Sequence, residues 1–138
     1  EFRYKSVLVT EGALKADVVN RLRSEFFAIA NGGIACAHEI IVNVSRGKTL
    51  YLAFDNDYHE NPSVVRQLAR ILKLRLKGGG RNGLSTETKI LSWSRSAKGI
   101  DDALLQGEEF EEMTVADWFS VLNDESQREV KNVWETEN

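Results

Sequence analysis

The sequence predicts an α/β domain with a mainly parallel, four-stranded central sheet. Four short apolar or β-branched runs alternate with segments whose apolar residues recur at helical spacing. The third run, residues 49–54 (TLYLAF), is almost continuously apolar, which is typical of a parallel strand covered on both faces. Strands and helices that alternate in this way build a sheet flanked by helices.

The first third of the chain predicts two strands joined by a helix. Residues 6–11 (SVLVTE) are rich in β-branched side chains and end at Gly12, so they predict the first strand. Residues 26–30 (FFAIA) precede a turn signal at 31–33 (NGG) and predict the second strand. The helix between them has apolar residues at helical spacing: Leu14, Val18, Val19 and Leu22.

The middle of the chain predicts two helices and two further strands. Residues 34–44 are apolar and ambiguous, although their length favours a helix. Pro62 is tolerated in the first turn of a helix, and residues 77–88 (KGGGRNGLSTET) predict a loop before the fourth strand at 89–93 (KILSW). Apolar residues mark the periodicity of the helix that begins near Pro62: Val64, Val65, Leu68, Ile71 and Leu72.

After Gly107 the pattern becomes that of two amphipathic helices. Thr114 is suited to cap the first of them, and Val130, Val133 and Trp134 mark the second. We therefore divide the chain into an α/β domain at 5–107 and a C-terminal helical extension at 108–138.

Length and composition favour one cytoplasmic domain. A chain of 138 residues buries a core without disulfides, and one cysteine with two histidines forms no zinc pattern. There is no signal peptide and no apolar run of the about 18 residues that a membrane span needs, so we expect no membrane partner. The sequence has no initiator Met and starts close to a strand, so we expect a domain cut from a longer protein.

The net charge of −3 conceals an uneven distribution. Residues 66–98 carry 9 basic and 1 acidic side chains, whereas residues 99–138 carry 2 basic and 12 acidic ones. A basic block of this size can follow a nucleic-acid backbone, and it can also be the solvated face of a helix and a loop.

Acidic residues follow three of the four predicted strands. Glu11 ends the first strand, Asp55 and Asp57 end the third, and Asp101 and Asp102 come shortly after the fourth. A single Asp after a strand is usually a turn former, but carboxyl ends of parallel strands share one edge, so we expect these acids to meet. A cluster of carboxylates without His or Cys suits a hard cation, Mg²⁺ or Mn²⁺.

At these residues the sequence resembles the Toprim family, which is shared by bacterial replicative primases, type IA and type II topoisomerases and overcoming-lysogenization-defect nucleases. The resemblance covers roughly residues 5–107 and is closest to the Toprim-like domains of phage and plasmid (mobile-element) primase–helicase replication proteins. It implies a Toprim-like (Rossmann-like) sheet. The segments that carry it are VLVTEG at 7–12, ANGG at 30–33, AFDND at 53–57 and KGIDDALLQG at 98–107.

The resemblance implies roles for individual residues. Glu11 is similar to the family's acid–base or metal-linked residue, Asp55 and Asp57 to its catalytic Mg²⁺ ligands, and Asp101 completes the metal site. Lys15 departs from the family, because bacterial replicative primases often carry a further Asp at that position. The Lys15 side chain can weaken binding of a second metal ion, contact phosphate directly, or simply be an exposed helix residue.

The function implied is Mg²⁺-dependent nucleotidyl transfer in DNA replication, by a DNA primase or primase–helicase replication protein that uses single-stranded DNA and nucleoside triphosphates. A helicase or other replication domain is then expected in the parent chain. Two alternatives stay open: a Toprim-type metal-dependent nuclease or topoisomerase domain, and a non-catalytic nucleic-acid-binding module. We expect phosphates to contact Lys15 and a strand to run toward the metal site over Lys77, Arg81, Arg95 and Lys98.

Overall fold

The fold is a five-stranded sheet with helices on both faces. A computed structural model describes residues 6–31, 37–54, 61–79, 87–93 and 97–136. The strands are β1 (Ser6–Thr10), β2 (Phe26–Ala30), β3 (Leu50–Leu52), β4 (Thr88–Ser92) and β5 (Glu111–Met113). The helices are α1 (Ala13–Leu22), α2 (Ala37–Val44), α3 (Pro62–Gly79), α4 (Ile100–Leu105), α5 (Val115–Val121) and α6 (Asp124–Thr136).

The strand order β2-β1-β3-β4-β5 creates a switch point between β1 and β3. β1 to β4 are parallel, and β5 pairs antiparallel with β4. The chain leaves β1 for β2 on one side and leaves β3 for β4 on the other, so a crevice opens between the carboxyl ends of β1 and β3. Open α/β sheets bind ligands in such a crevice.

Each face of the sheet has its own buried cluster. The α3 face, covered by α2, α3, α5 and α6, includes Val7 and Val9 of β1. The α1 face, covered by α1 and α4, includes Leu8 between them. Alternation along β1 therefore directs Thr10 to the α1 face.

The α/β prediction is confirmed, with two corrections. The sheet has five strands rather than four, because Glu111–Met113 pairs with β4 inside the segment predicted to be helical. This strand has two exposed Glu side chains, so its sequence has no apolar run to predict it. Helix α3 also continues to Gly79, through the start of the loop predicted at 77–88.

The last two helices pack onto the same core as the sheet. The predicted cap is confirmed, because the Thr114 hydroxyl accepts a hydrogen bond from the Asp117 backbone N–H at 3.1 Å. Helix α6 lies against α3, where Trp134 Nε1 donates to the Ala69 carbonyl at 3.0 Å. The domain boundary at residue 107 stays a prediction.

Asn20 covers the exposed edge of β2. Its Oδ1 accepts from the Ala28 backbone N–H at 2.9 Å, and its Nδ2 donates to the Ala28 carbonyl at 3.1 Å. These are the backbone groups that an edge strand would otherwise offer to another chain.

Arg75 joins the elements at the amino edge of the sheet, where the strands begin. Its guanidinium donates to the Ser45 carbonyl at 2.7 Å, to Thr88 Oγ1 at 3.0 Å, to the Glu87 carbonyl at 3.1 Å, and also to the Lys48 carbonyl. The side chain is 3% exposed, and burial lowers the pKa of Arg75. Helix α3, the α2–β3 connection and the start of β4 are thereby held together.

No helix in the part of the chain that the structure describes is both long and apolar enough to cross a membrane.

Candidate functional site at the carboxyl edge of the sheet

Glu11 lies at the switch point. Val9 of β1 pairs with Leu52 of β3, and the Ala53 backbone N–H donates to the Val9 carbonyl at 2.8 Å. Glu11 comes two residues after Val9, and Phe54 comes two residues after Leu52. The chain segments that follow β1 and β3 therefore begin side by side. Phe54 is buried on the α3 face and is the residue before Asp55.

Two of the predicted metal ligands, Asp55 and Asp57, lie outside the described residues. Their convergence with Glu11 therefore stays a prediction. What the structure adds is the position of the described residue on either side of the crevice, Glu11 after β1 and Phe54 after β3.

Three side-chain oxygens at this edge are buried and have no hydrogen-bond partner among the described residues. They are Thr10 Oγ1, Asn31 Oδ1 and Asp101 Oδ1. Thr10 is the last residue of β1, Asn31 directly follows β2, and Asp101 is the second residue of α4, the helix after β4. Buried polar groups are nearly always paired, so each of these oxygens is a candidate contact for a ligand at the carboxyl edge. They do not all lie on one face, because alternation directs Thr10 to the α1 face whereas Asn31 bonds to Gln67 of α3.

Asp101 is the described acidic residue whose environment best fits the predicted metal site. Its carboxyl group is half-buried, and α4 packs against α1, which begins two residues after Glu11. The donors described at this edge are carboxylate, hydroxyl and amide oxygens, which suit Mg²⁺. Within the described residues no three His, Cys, Asp or Glu side chains form a group that could hold a metal ion.

The predicted phosphate-binding residues are divided between the two edges. Lys98 is exposed just before α4, and Lys15 is half-buried on α1 one turn after Glu11, so both lie near the carboxyl edge. Lys77 lies in the last turn of α3, an 18-residue helix about 27 Å long. That end of the helix is at the amino edge with Arg75, so the structure does not bring Lys77 to Lys98. Arg81 and Arg95 lie outside the described residues.

An acidic cavity of 340 Å³ lies beside the end of β4. Ser92 and Trp93 line it on the strand side. Its remaining lining residues are Glu108, Glu109 and Glu111. Three carboxylates repel phosphate, so this cavity is unsuited to a nucleic-acid backbone.

Thr10 and Asn31 lie within sequence segments that carry the Toprim resemblance, but the sequence did not identify Thr10, Asn31 or Gln67 as candidate binding residues. Asn31 Nδ2 donates to Gln67 Oε1 on α3 at 2.9 Å, and the Asn31 backbone N–H donates to the Thr10 carbonyl at 2.7 Å. The available signal was that Thr10 and Asn31 are polar residues at the ends of the first two predicted strands.

No protein-family model, curated protein or solved structure matches the chain. The resemblance to the Toprim family therefore rests on the sequence motifs at 7–12 and 53–57 and on the described strands β1 and β3 that precede their acidic residues.

Proposed function

We propose that this chain is a Mg²⁺-dependent nucleotidyl-transfer domain of the Toprim type, from a DNA primase or primase–helicase replication protein that acts on single-stranded DNA. The observation that carries the proposal is the position of Glu11 directly after β1, next to Phe54, which follows the neighbouring strand β3 and is the residue before the Asp-x-Asp motif in the sequence. A switch point of this kind is where α/β sheets bind phosphorylated ligands.

The residues proposed to hold Mg²⁺, or Mn²⁺, are Glu11, Asp55, Asp57 and Asp101. A bound ion supplies contacts to phosphate oxygens and offsets the negative charge that develops at phosphorus. Oxygen donors are the ligands that this ion prefers. The Asp101 oxygen, which is buried and has no partner among the described residues, supports the inclusion of Asp101 in the set.

In the proposed reaction a 3′-hydroxyl attacks the α-phosphorus of a nucleoside triphosphate. The new bond joins O3′ to phosphorus, the bond from phosphorus to the bridging oxygen breaks, and pyrophosphate leaves. Glu11 accepts the proton of the attacking hydroxyl, as a general base held at the end of a rigid strand. Lys15 and Lys98 contact phosphates near this edge, while the acidic cavity beside β4 directs the nucleic acid away from β5.

The test is a parallel assay of priming and cleavage. We expect the chain, supplied with single-stranded template, labelled nucleoside triphosphates and Mg²⁺, to extend labelled products and to leave supercoiled plasmid uncut. Glu11→Gln should lower the rate by about 100-fold or more, since it removes the base. The control is Glu135→Gln, which changes an exposed acid on α6 and should leave the rate unchanged.

Other outcomes would contradict the proposal. Plasmid nicking that depends on Glu11, without synthesis, would show a nuclease or topoisomerase domain. Nucleic-acid binding with neither reaction would show a binding module.

A further inference from the structure

Asn31 is a buried amide that uses only part of its hydrogen-bonding capacity. The residue is 3% exposed, and its Nδ2 donates to Gln67 Oε1 at 2.9 Å. Its Oδ1 is buried and accepts no hydrogen bond from any residue that the structure describes. The contact with Gln67 holds the amide in one orientation, so the acceptor is fixed in place without a donor among the described residues.

Asn20 shows how this fold treats an amide with a structural role. Both ends of the Asn20 side chain are paired with the backbone of Ala28. A buried acceptor that stays unpaired destabilises the folded chain, because it has lost its bonds to water. The contrast between the two asparagines indicates that the Asn31 oxygen is kept for a ligand.

The position of Asn31 limits which part of a ligand it can reach. It directly follows β2, the strand beside β1, and its backbone N–H bonds to Thr10, the residue before Glu11. Neighbouring strands lie about 4.8 Å apart, so β2 is about 7 Å from the line midway between β1 and β3. A nucleotide whose phosphate lies at that line has its sugar, which is bonded to the phosphate, at about this distance.

The amide oxygen of Asn31 also limits which chemical group of the ligand can bond to it, because this oxygen only accepts hydrogen bonds. A phosphate offers acceptors, so it cannot bond to the amide oxygen of Asn31, whereas a hydroxyl can donate to it. We propose that Asn31, positioned by Gln67, accepts a hydrogen bond from a sugar hydroxyl of the nucleoside triphosphate. This inference rests on the proposed nucleotidyl-transfer function and adds a specificity-determining residue to it.

A buried acceptor of this kind discriminates against a ligand without the hydroxyl, since the acceptor then stays unpaired in the complex. The test is a binding titration of the chain in Mg²⁺ with ATP and with 2′,3′-dideoxy-ATP. We expect ATP to bind about tenfold more tightly or better. Titrations with 2′-deoxy-ATP and 3′-deoxy-ATP identify which hydroxyl is recognised.

Variants at Asn31 test whether this residue causes the preference for ATP over 2′,3′-dideoxy-ATP. Asn31→Leu should bring the affinity ratio close to one by weakening the binding of ATP alone, and Asn31→Asp, which retains an acceptor oxygen, should keep part of the ratio. Asn20→Leu is the matched control. It removes a fully paired amide, so the melting temperature should fall while the affinity ratio stays that of the wild type.

The outcomes separate this inference from the function on which it rests. Mg²⁺-dependent binding of all four nucleotides with equal affinity overturns the role of Asn31 and leaves nucleotidyl transfer in place. A wild-type chain that binds no nucleotide overturns both. A preference that persists in Asn31→Leu places the hydroxyl contact at another residue, and loss of Mg²⁺ binding in that variant would make Asn31 a cation ligand instead.

Discussion

The two edges of the sheet treat their buried polar groups in opposite ways. At the amino edge, one guanidinium, that of Arg75 on α3, donates to backbone carbonyls and hydroxyls from two other parts of the chain, the α2–β3 connection and the start of β4. At the carboxyl edge, oxygens of Thr10, Asn31 and Asp101 are buried without a hydrogen-bond partner in the described ranges. Among the described residues, the fold therefore completes the hydrogen bonds around Arg75 at the amino edge and leaves these acceptors without partners at the carboxyl edge, which is where open α/β sheets bind ligands.

The difference has a thermodynamic consequence. A paired buried group stabilises the folded state modestly, whereas an unpaired one destabilises it until a ligand arrives. Substitutions at the amino edge should thus lower stability, and substitutions that remove an unpaired oxygen at the carboxyl edge should leave it unchanged or raise it. Proteins commonly show this exchange of stability for function at their binding sites.

The largest effect is expected at Arg75. Arg75→Met removes a donor that makes at least four hydrogen bonds. The Lys48 carbonyl loses its described partner, and the Ser45 and Glu87 carbonyls keep only their bonds from backbone N–H groups, so the free energy of unfolding should fall by about 3 kcal/mol or more. Urea denaturation measures the change. Arg66→Met is the control, because Arg66 makes a partly exposed ion pair with Glu129 at 3.3 Å, worth about 0–1 kcal/mol. Equal losses in the two variants would remove the contrast between the edges.

An intermediate effect is expected from Mg²⁺. If the carboxyl edge binds the ion, the melting temperature should rise with Mg²⁺ concentration. At a concentration about 100 times the dissociation constant, the free energy of unfolding should be higher by about 2.7 kcal/mol. Asp57→Asn should abolish this response. Asp101→Asn should weaken Mg²⁺ affinity about tenfold, or about 1.4 kcal/mol.

The neighbour Asp102 is the matched control for Asp101, since it is exposed in the same turn of α4. Asp102→Asn should keep the wild-type response to Mg²⁺. An unchanged response in Asp101→Asn, together with lower stability, would instead make Asp101 a structural residue.

The smallest expected effect on stability comes from making the same substitution, Thr to Val, at each edge of the sheet. Thr88→Val leaves Arg75 Nε without its acceptor and should destabilise the protein by about 1 kcal/mol. Thr10→Val removes a buried hydroxyl that is unpaired among the described residues, so stability should be unchanged or higher by up to about 1 kcal/mol. Thermal unfolding of both variants shows whether each substitution lowers or raises the stability of the protein. A clear loss of stability in Thr10→Val would mean that its hydroxyl is paired in the folded protein.

The sequence alone determined the alternation of strands and helices and the placement of Glu11 at a strand end. These features depend on local patterns: β-branched runs, apolar residues at helical spacing, and turn residues between them. The same local rules missed β5, because a three-residue edge strand with two Glu side chains is held by its pairing with β4 and not by its own pattern.

Only the tertiary structure decided which polar atoms are paired and which charges share an edge. Arg75 and Ser45 are 30 residues apart, and Asn31 and Gln67 are 36 apart, so no local pattern relates them. Lys77 and Lys98 belong to one basic block in the sequence, yet α3 carries Lys77 to the amino edge while Lys98 lies at the carboxyl edge. Charge and polarity are properties of single residues, but whether a buried oxygen is left open for a ligand depends on every element packed around it.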